Sequence, residues 1–354
     1  MCSITKAEIF CKTFSDATGE KLIDLNGRGR DRRWALKKKR NIKIHDILFQ
    51  AYDIYLAETG AELMSANTLE NIQNCGNDLV FARLADNSRK LAAANFCKYR
   101  LCPMCNWRKS LKLFSQIGKI TEAILADKPA RFMFLTLTVK NCNGEELKDV
   151  LDQLNKGFAY LTSPSRTFAP AKKLKESLLG YVKGIEVTYN EKDNSYHPHI
   201  HIVLEVKPSY FSKGYIKHAE WRDIWKQAMK LDYDPQVNIK VIKGDEGEAP
   251  SPGAIAEVAK YPVKFESILN IKKLETAARA AINLHFGLKN RRLTTFGGDF
   301  KEYQKRLKLD DVESGNLIHV EADKDSKAAI VAYELFKYNM KVGGYFHAGT
   351  AKAS

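Results

Sequence analysis

The sequence predicts an α+β protein: strands and helices in distinct runs, including a hairpin whose apolar face packs on a helical layer, with an N-terminal helical and cysteine-rich region ahead of them. Three patterns carry that prediction. Apolar and polar residues alternate in the runs 131–141, 181–190 and 199–206, as half-buried strands require. Apolar residues recur every three or four positions in several other stretches, as amphipathic helices require. Residues 75–108 hold most of the cysteines.

In chain order, residues 1–44 are polar and end in the basic cluster GRGRDRRWALKKKRNIK. That cluster is either an arm or helix touching phosphates or a solvated basic face. Ile47, Leu48, Tyr52, Tyr55 and Leu56 predict a helix over 44–72, and SLKLFSQIGKITEAILA predicts another over 110–126. In RFMFLTLTVKN, Met133, Leu135, Leu137 and Val139 share one strand face, with Thr136, Thr138 and Lys140 opposite. A helix follows over 145–162, then the strands YVKGIEVTYN and HIHIVLEV around a polar turn. Trp221 and Trp225 lie four apart in a helix over 217–230, and VNIKVI is a further strand. Residues 243–253 form a loop by composition, and 254–261 and 264–285 read as helical. FGGDFKEYQKRL reads as a turn into a helix and HAGTAKAS as a disordered tail. The implied divisions are 1–74 (basic and helical), 75–126 (cysteine-rich), 127–310 (the sheet domain) and 311–354 (a C-terminal segment).

Fifty-seven Lys and Arg against 42 Asp and Glu give the 354 residues a net charge of +15. Such an excess points to a polyanionic partner, most simply nucleic acid. A hydrophobic content of 44% excludes a disordered chain. MCSITKAEIFCKTF lacks the pattern of a secretory signal, and Phe132–Val139 is far too short to span a bilayer. The expectation is a cytoplasmic protein with no membrane partner. There the seven cysteines serve as thiols or metal ligands rather than disulfides.

Three of the eight histidines, His197, His199 and His201, stand at alternate positions and so share one strand face. Gly184, Glu186, Thr188 and Asn190 share the polar face of the preceding strand. A hairpin turning around Asp193-Asn194 would set Glu186 across from His201 and Thr188 across from His199. Directly opposed side chains lie about 5 Å apart at Cβ. Two imidazoles and a carboxylate would then form a metal site with open positions, with Glu186, His199 and His201 as ligands and His197 in support. A half-exposed strand face without a metal is the plain alternative.

In AIAEVAKYPVKF, Glu257 and Tyr261 would share a helix face, with Lys260 and Lys264 adding positive charge. Tyrosine is a poor nucleophile at its free pKa of about 10. Beside cations and a metal-polarised phosphodiester it becomes useful, and a nearby carboxylate can activate water. Most segments of this spacing are simply amphipathic helices. Cys97, Cys102 and Cys105 crowd together, with a C-x-x-C gap typical of zinc knuckles. Cys75 is the best fourth ligand for a structural Zn²⁺; buried reduced thiols are the alternative. Cys2, Cys11 and Cys142 stand apart. Arg100, Arg108 and Lys109 beside the cluster are candidates for phosphate contacts.

FLTLTV (134–139), HPHIHIVLEV (197–206) and EVAKYPVK (257–264), in this order, resemble the three motifs of rolling-circle replication initiators of small Gram-positive plasmids. These belong to the HUH endonuclease superfamily, and the resemblance covers roughly residues 75–310. It implies a fold with a central antiparallel sheet flanked by helices. It implies that His199 and His201, with Glu186, bind a catalytic Mn²⁺ or Mg²⁺. It also implies that Tyr261 attacks the nick-site phosphate at a plasmid double-strand origin, becoming linked to the 5′ end. Glu257 matches the carboxylate that activates water for the terminating cleavage. DNA, a host polymerase and a host helicase are the implied partners, and an oligomer is left open. No G-x-x-x-x-G-K-[ST] motif is present, so the chain is not expected to carry its own ATP-driven helicase. The competing readings are a single-tyrosine relaxase or transposase, and a non-enzymatic zinc-containing DNA-binding protein. A relaxase usually carries its tyrosine ahead of its histidines. The binding protein leaves Glu186, His199, His201 and Tyr261 unexplained.

Overall fold

The computed structural model describes residues 19–26, 29–163, 171–241, 255–256, 258–259, 264–318 and 329–353. The chain divides into two units, residues 1–112 with 316–354, and residues 113–315.

In the first unit, helix α1 (Trp34–Thr59) stops where Gly60 adopts φ +71°. Only glycine takes that left-handed cap without a Cβ penalty. Helix α2 (Ala66–Asn74) restarts at Ser65, whose side chain caps the Thr68 N–H. The single helix expected over 44–72 is therefore two, and the first begins earlier, inside the basic cluster. Strands β1 (Asp78–Leu84), β2 (Arg89–Ala94), β8 (Ile330–Asn339) and β9 (Gly344–Lys352) form an antiparallel sheet in the order β2-β1-β8-β9. Sequence patterns did not reveal this sheet, because β1 pairs with a strand some 250 residues away. The expected disordered tail is a correction too. HAGTAKAS is almost entirely strand β9, held by β8 through pairs such as Tyr333 with Ala351. Val80, Ala93 and Leu335 form a small core in this unit. Trp34, Phe81 and Phe336 meet edge to face.

The second unit is built on the strands foreseen from alternation. β3 (Arg131–Thr138), β4 (Leu178–Asn190), β5 (Ser195–Val206), β6 (Val237–Val241) and β7 (Thr294–Gly298) form an antiparallel sheet in the order β6-β3-β5-β4-β7. One face carries the apolar set predicted for it, including Leu135, Leu137, Ile185, Val187, Ile200 and Ile202, all buried. Helices α4 (Leu147–Thr162) and α7 (His218–Met229), separated in the chain by the short α5 (Lys172–Ser177) and α6 (Tyr210–Lys213), belong to this side: α4 packs on β5 and on α7, and Trp225 of α7 donates its indole N–H to the Thr138 carbonyl. Packing is tight: a Cβ on Gly157 would lie 2.4 Å from the Met229 sulfur. The expected helix over 264–285 is two, α8 (Glu266–Leu269) and α9 (Leu274–Leu288).

The opposite face is divided. At one end Phe132, Phe134, Val182, Val203 and Phe296 are buried against Leu113, Ile117, Ile120 and Ile124 of helix α3 (Pro103–Asp127), against Phe300 of α10 (Asp299–Arg306), and against Ile255, Val258 and Ala259. At the other end the same face carries Glu186 and the histidines. Apolar packing thus holds the polar half of the sheet face in place.

The hairpin register differs from expectation. Asn190 pairs with Ser195, so Glu186 opposes His199, Thr188 opposes His197 and Gly184 opposes His201. The four-residue loop 191–194 is centred one residue earlier than an Asp193-Asn194 turn. Asn194 takes φ +50°, and the Asn190 side chain accepts from the Lys192 N–H. The resulting shift of two residues preserves the side-chain faces, because strand periodicity is two.

Lys183 is an ammonium on the apolar face of β4, buried beside Ile185 and Val187. It donates to Asn155 Oδ1 at 2.7 Å and lies over the Phe158 ring. Burial pulls its pKa down to about 8. Between that value and the unfolded value near 10.4 the unfolded chain binds more protons, so raising pH through this window should stabilise the fold. Lys183→Met should remove that dependence and stabilise the protein near neutral pH by on the order of 2 kcal/mol. Urea denaturation of both proteins at pH 7 and pH 10 checks it; parallel pH dependences would refute it.

Candidate functional site: two clusters of metal-ligand side chains

Strand pairing brings Glu186, His199 and His201 together on the divided face. Glu186 Oε2 lies 3.0 Å from His201 Nε2 and 3.4 Å from His199 Nε2, and all three side chains are largely buried. Their ligand atoms fall within 4.8 Å of one another. Burial opposes ionisation of Glu186, but hydrogen bonds from His199 and His201 outweigh it and hold the carboxyl well below the usual carboxylate range.

The outer nitrogens of both rings are occupied. His199 Nδ1 lies 3.2 Å from the His197 carbonyl oxygen, which can only accept, so this nitrogen carries the proton. Nε2 therefore donates to the Glu186 carboxylate only when the ring carries a second proton; in the neutral ring it presents a lone pair instead. Two lone pairs at that distance repel unless a proton or a metal cation lies between them. His201 Nδ1 lies 3.2 Å from Thr136 Oγ1, directly across the strand pair, and its ring stacks on Phe134. The donor set of two imidazoles and one carboxylate suits a divalent cation with positions to spare. His197 points elsewhere: its Nδ1 lies 2.9 Å from Asn141 Oδ1, and Asn141 donates to Ser195 Oγ. Its main-chain carbonyl, rather than its ring, supports His199.

Of the remaining site residues, Glu257 and Tyr261 lie outside the described residues. Their flanks are described. The Val258 carbonyl oxygen would stand 2.9 Å from a Cβ at Gly184, on the face that carries Glu186. The Lys264 N–H reaches the Val187 carbonyl at 3.4 Å, and Lys264 itself is exposed. The Val187 carbonyl is available to Lys264 because β7 covers β4 only as far as Gly184. Thr136 and Asn141 were missed as supporting groups. Thr136 was legible as a polar residue on the correct face of β3, but nothing local said which histidine it would meet.

The second cluster lies in the first unit. Cys75 follows α2, Cys97 follows β2, and Cys102 and Cys105 lie at the start of α3. Sulfur–sulfur distances are 3.5 Å for Cys75–Cys105, 3.5 Å for Cys75–Cys102 and 3.7 Å for Cys97–Cys105. A tetrahedron with metal–sulfur bonds of about 2.3 Å has edges of about 3.8 Å, so four thiolates around one ion fit. Main-chain N–H groups of Cys97, Lys98 and Cys105 point at the sulfurs. The buried Lys38 ammonium donates to the carbonyls of Gln73 and Cys75. Lys38 lies 37 positions before Cys75, a separation no local motif spans. Cys142 is buried apart from the cluster, and Cys2 and Cys11 lie outside the described residues. Arg108 is not a free phosphate contact. It is buried, donates to the carbonyls of Leu317 and Ile318, and lies over the Trp34 and Trp107 rings.

No helix among the described residues is long and apolar enough to cross a membrane. The family model described as "Replication protein" matches residues 88–346. "Protein rep" of Streptococcus pneumoniae serotype 2 is 40% identical over 310 residues, covering 86% of this chain and 88% of its own length. "Protein rep" of Bacillus amyloliquefaciens is 37% identical over 331 residues, 90% of this chain and 94% of its own. That of Lactiplantibacillus plantarum is 36% identical over 331 residues, 91% and 98%. No solved structure matches the chain. This chain belongs to the replication-protein family, the Rep proteins that initiate plasmid replication.

Proposed function

We propose that the protein starts rolling-circle replication by cutting one strand of its plasmid's double-strand origin and holding the 5′ end on Tyr261. The observation that carries this reading is the convergence of Glu186, His199 and His201, with both outer imidazole nitrogens already engaged. In this reading the three residues hold Mn²⁺ or Mg²⁺, which when bound polarises the scissile phosphodiester. Mn²⁺ suits two imidazole ligands better on softness grounds.

The chain's own residues do the rest. Tyr261 lies three positions after Val258 and three before Lys264, whose backbones meet β4 at Gly184 and Val187 on either side of Glu186. That bracketing supports Tyr261 as the nucleophile beside the triad. Lys264 supplies positive charge that favours the phenolate. Attack of the phenolate oxygen on phosphorus forms the phosphotyrosine bond and expels the 3′ oxygen, which takes up a proton as the 3′-OH that a host polymerase extends. Glu257, four positions earlier, accepts a proton from water in the closing cleavage. A host helicase and a cytoplasmic location belong to the same reading.

Incubation with Mn²⁺ and a supercoiled plasmid carrying its own origin should yield nicked circles and a covalent 5′-DNA adduct. Tyr261→Phe should abolish both, and Glu257→Ala should nick while accumulating adduct. Undiminished nicking by Tyr261→Phe, or normal product release by Glu257→Ala, would remove the corresponding role.

Thr136 is a positioning residue in this scheme, since its hydroxyl can accept from His201 Nδ1 and turn Nε2 toward the metal. Thr136→Val should weaken Mn²⁺ binding about ten-fold by calorimetry, while Thr136→Ser retains it. Equal affinity in the valine variant would show that the hydroxyl does not orient the ring.

We assign the four cysteines to structural Zn²⁺. Four thiolates around Zn²⁺ leave a net charge of about −2, half of which the buried Lys38 ammonium offsets. Protein purified under reducing conditions should hold one equivalent of zinc, and Cys102→Ser should lose it together with thermal stability. Zinc-free protein with an unchanged melting temperature would reject the assignment.

A further inference from the structure

The tip of the β8–β9 hairpin exposes two large apolar side chains that none of the described residues buries. Met340 and Val342 are 65% and 66% exposed, more than any other large hydrophobic residue among those described. Leaving both in water forgoes burial that apolar surface otherwise gains. The tip is nonetheless well ordered by its own bonds. Asn339 Oδ1 accepts from the Lys341 and Val342 N–H groups at 3.0 and 3.1 Å, its carbonyl accepts from the Gly343 N–H at 2.8 Å, and Gly343 closes the turn at φ +71°. The two side chains are therefore presented on a rigid support.

Cations surround them. Lys341 lies between the two and is exposed. Lys39 of α1 lies against the tip: a Cβ at Gly343 would stand 2.7 Å from Lys39 Cε and 3.0 Å from Nζ. Lys43 follows Lys39 by one helical turn on the same face, and Lys21 Cε lies beside Gly344. No ion pair joins Lys21, Lys39, Lys43 or Lys341 to a carboxylate among the described residues. Lys337 faces Asp78 across the sheet and is not counted with them. An apolar pair ringed by unpaired lysines matches a phosphate-lined groove rather than a neutral protein surface. The absence of an exposed aromatic residue in the loop argues against a platform for unstacked single-strand bases.

We infer that this tip is a duplex-DNA contact: Lys39, Lys43 and Lys341 take backbone phosphates, and Met340 and Val342 wedge against a base step in the minor groove. The inference uses the family's action on plasmid DNA and none of the nicking chemistry, so it stands or falls independently of Tyr261.

The test is fluorescence anisotropy with the full chain and no added divalent metal. The probes are a duplex carrying the plasmid's origin and one of its strands alone. Met340→Ser with Val342→Ser should lower duplex affinity about ten-fold and single-strand affinity far less. Lys39→Ala with Lys341→Ala should make the plot of log affinity against log salt shallower by about two. Met340→Gln with Val342→Thr, closer in volume, serves should the serine pair fail to match wild-type circular dichroism. Wild-type duplex affinity in a folded apolar-pair variant overturns the inference. So does an equal loss on single strands, or a loss confined to self-association in light scattering.

Discussion

Pairing of β4 with β5 is the constraint on which the five-stranded unit and its Glu186 cluster depend. One antiparallel ladder, closed at Asn190 and Ser195, sets Glu186 opposite His199 and places His201 two pairs further along, on the same face. The main chain itself then orients His199, through the His197 carbonyl. This economy explains why the run needs a residue at 197 whose ring is not aimed at the centre. The support comes from its backbone, while its ring ties the strand to Asn141.

A polar centre on a sheet face needs something to keep it from collapsing or flooding. Here the face is split lengthwise. Phe134 stacks on His201, and Phe132, Val182, Val203 and Phe296 continue the face into a core closed by α3 and α10. The carboxylate and imidazoles therefore sit at the edge of an apolar wall. There they lose much of their water, and electrostatic interactions strengthen. The same desolvation makes an uncompensated Glu186 costly, so the site depends on cationic neighbours in every state.

Much of the sheet domain was legible because its signals are local. Alternation placed β3, β4, β5 and β6, and face-sharing brought Glu186 to the histidines even though the turn was centred one residue late. A two-residue register error is invisible to a pattern of period two. The four-stranded sheet was illegible for the opposite reason. β1 is a short apolar run, IVAYELFKYN does not declare its period, and their pairing is decided by residues far apart in sequence. Lys38 and Arg108 were misjudged or missed because charge runs normally mark solvated surface. These two cations instead satisfy buried carbonyls beside the cysteines and tryptophans.

The two ligand clusters divide chemistry along lines the donor atoms dictate. Sulfur ligands at 3.5–3.7 Å, with Cys75, Cys102 and Cys105 fully buried, leave no room for a substrate oxygen. A metal there would have four bonds and nothing to exchange, which suits cross-linking α2, β2 and α3. The Glu186 cluster offers three harder donors. Val258 and Lys264 meet β4 at Gly184 and Val187, on either side of Glu186. The chain thus carries two candidate metal-ligand groups of different hardness, four sulfurs in one and two nitrogens with a carboxylate in the other. Gly184 matters to this face, because a Cβ there would stand 2.9 Å from the Val258 carbonyl oxygen, which would have to shift on the side that carries Glu186.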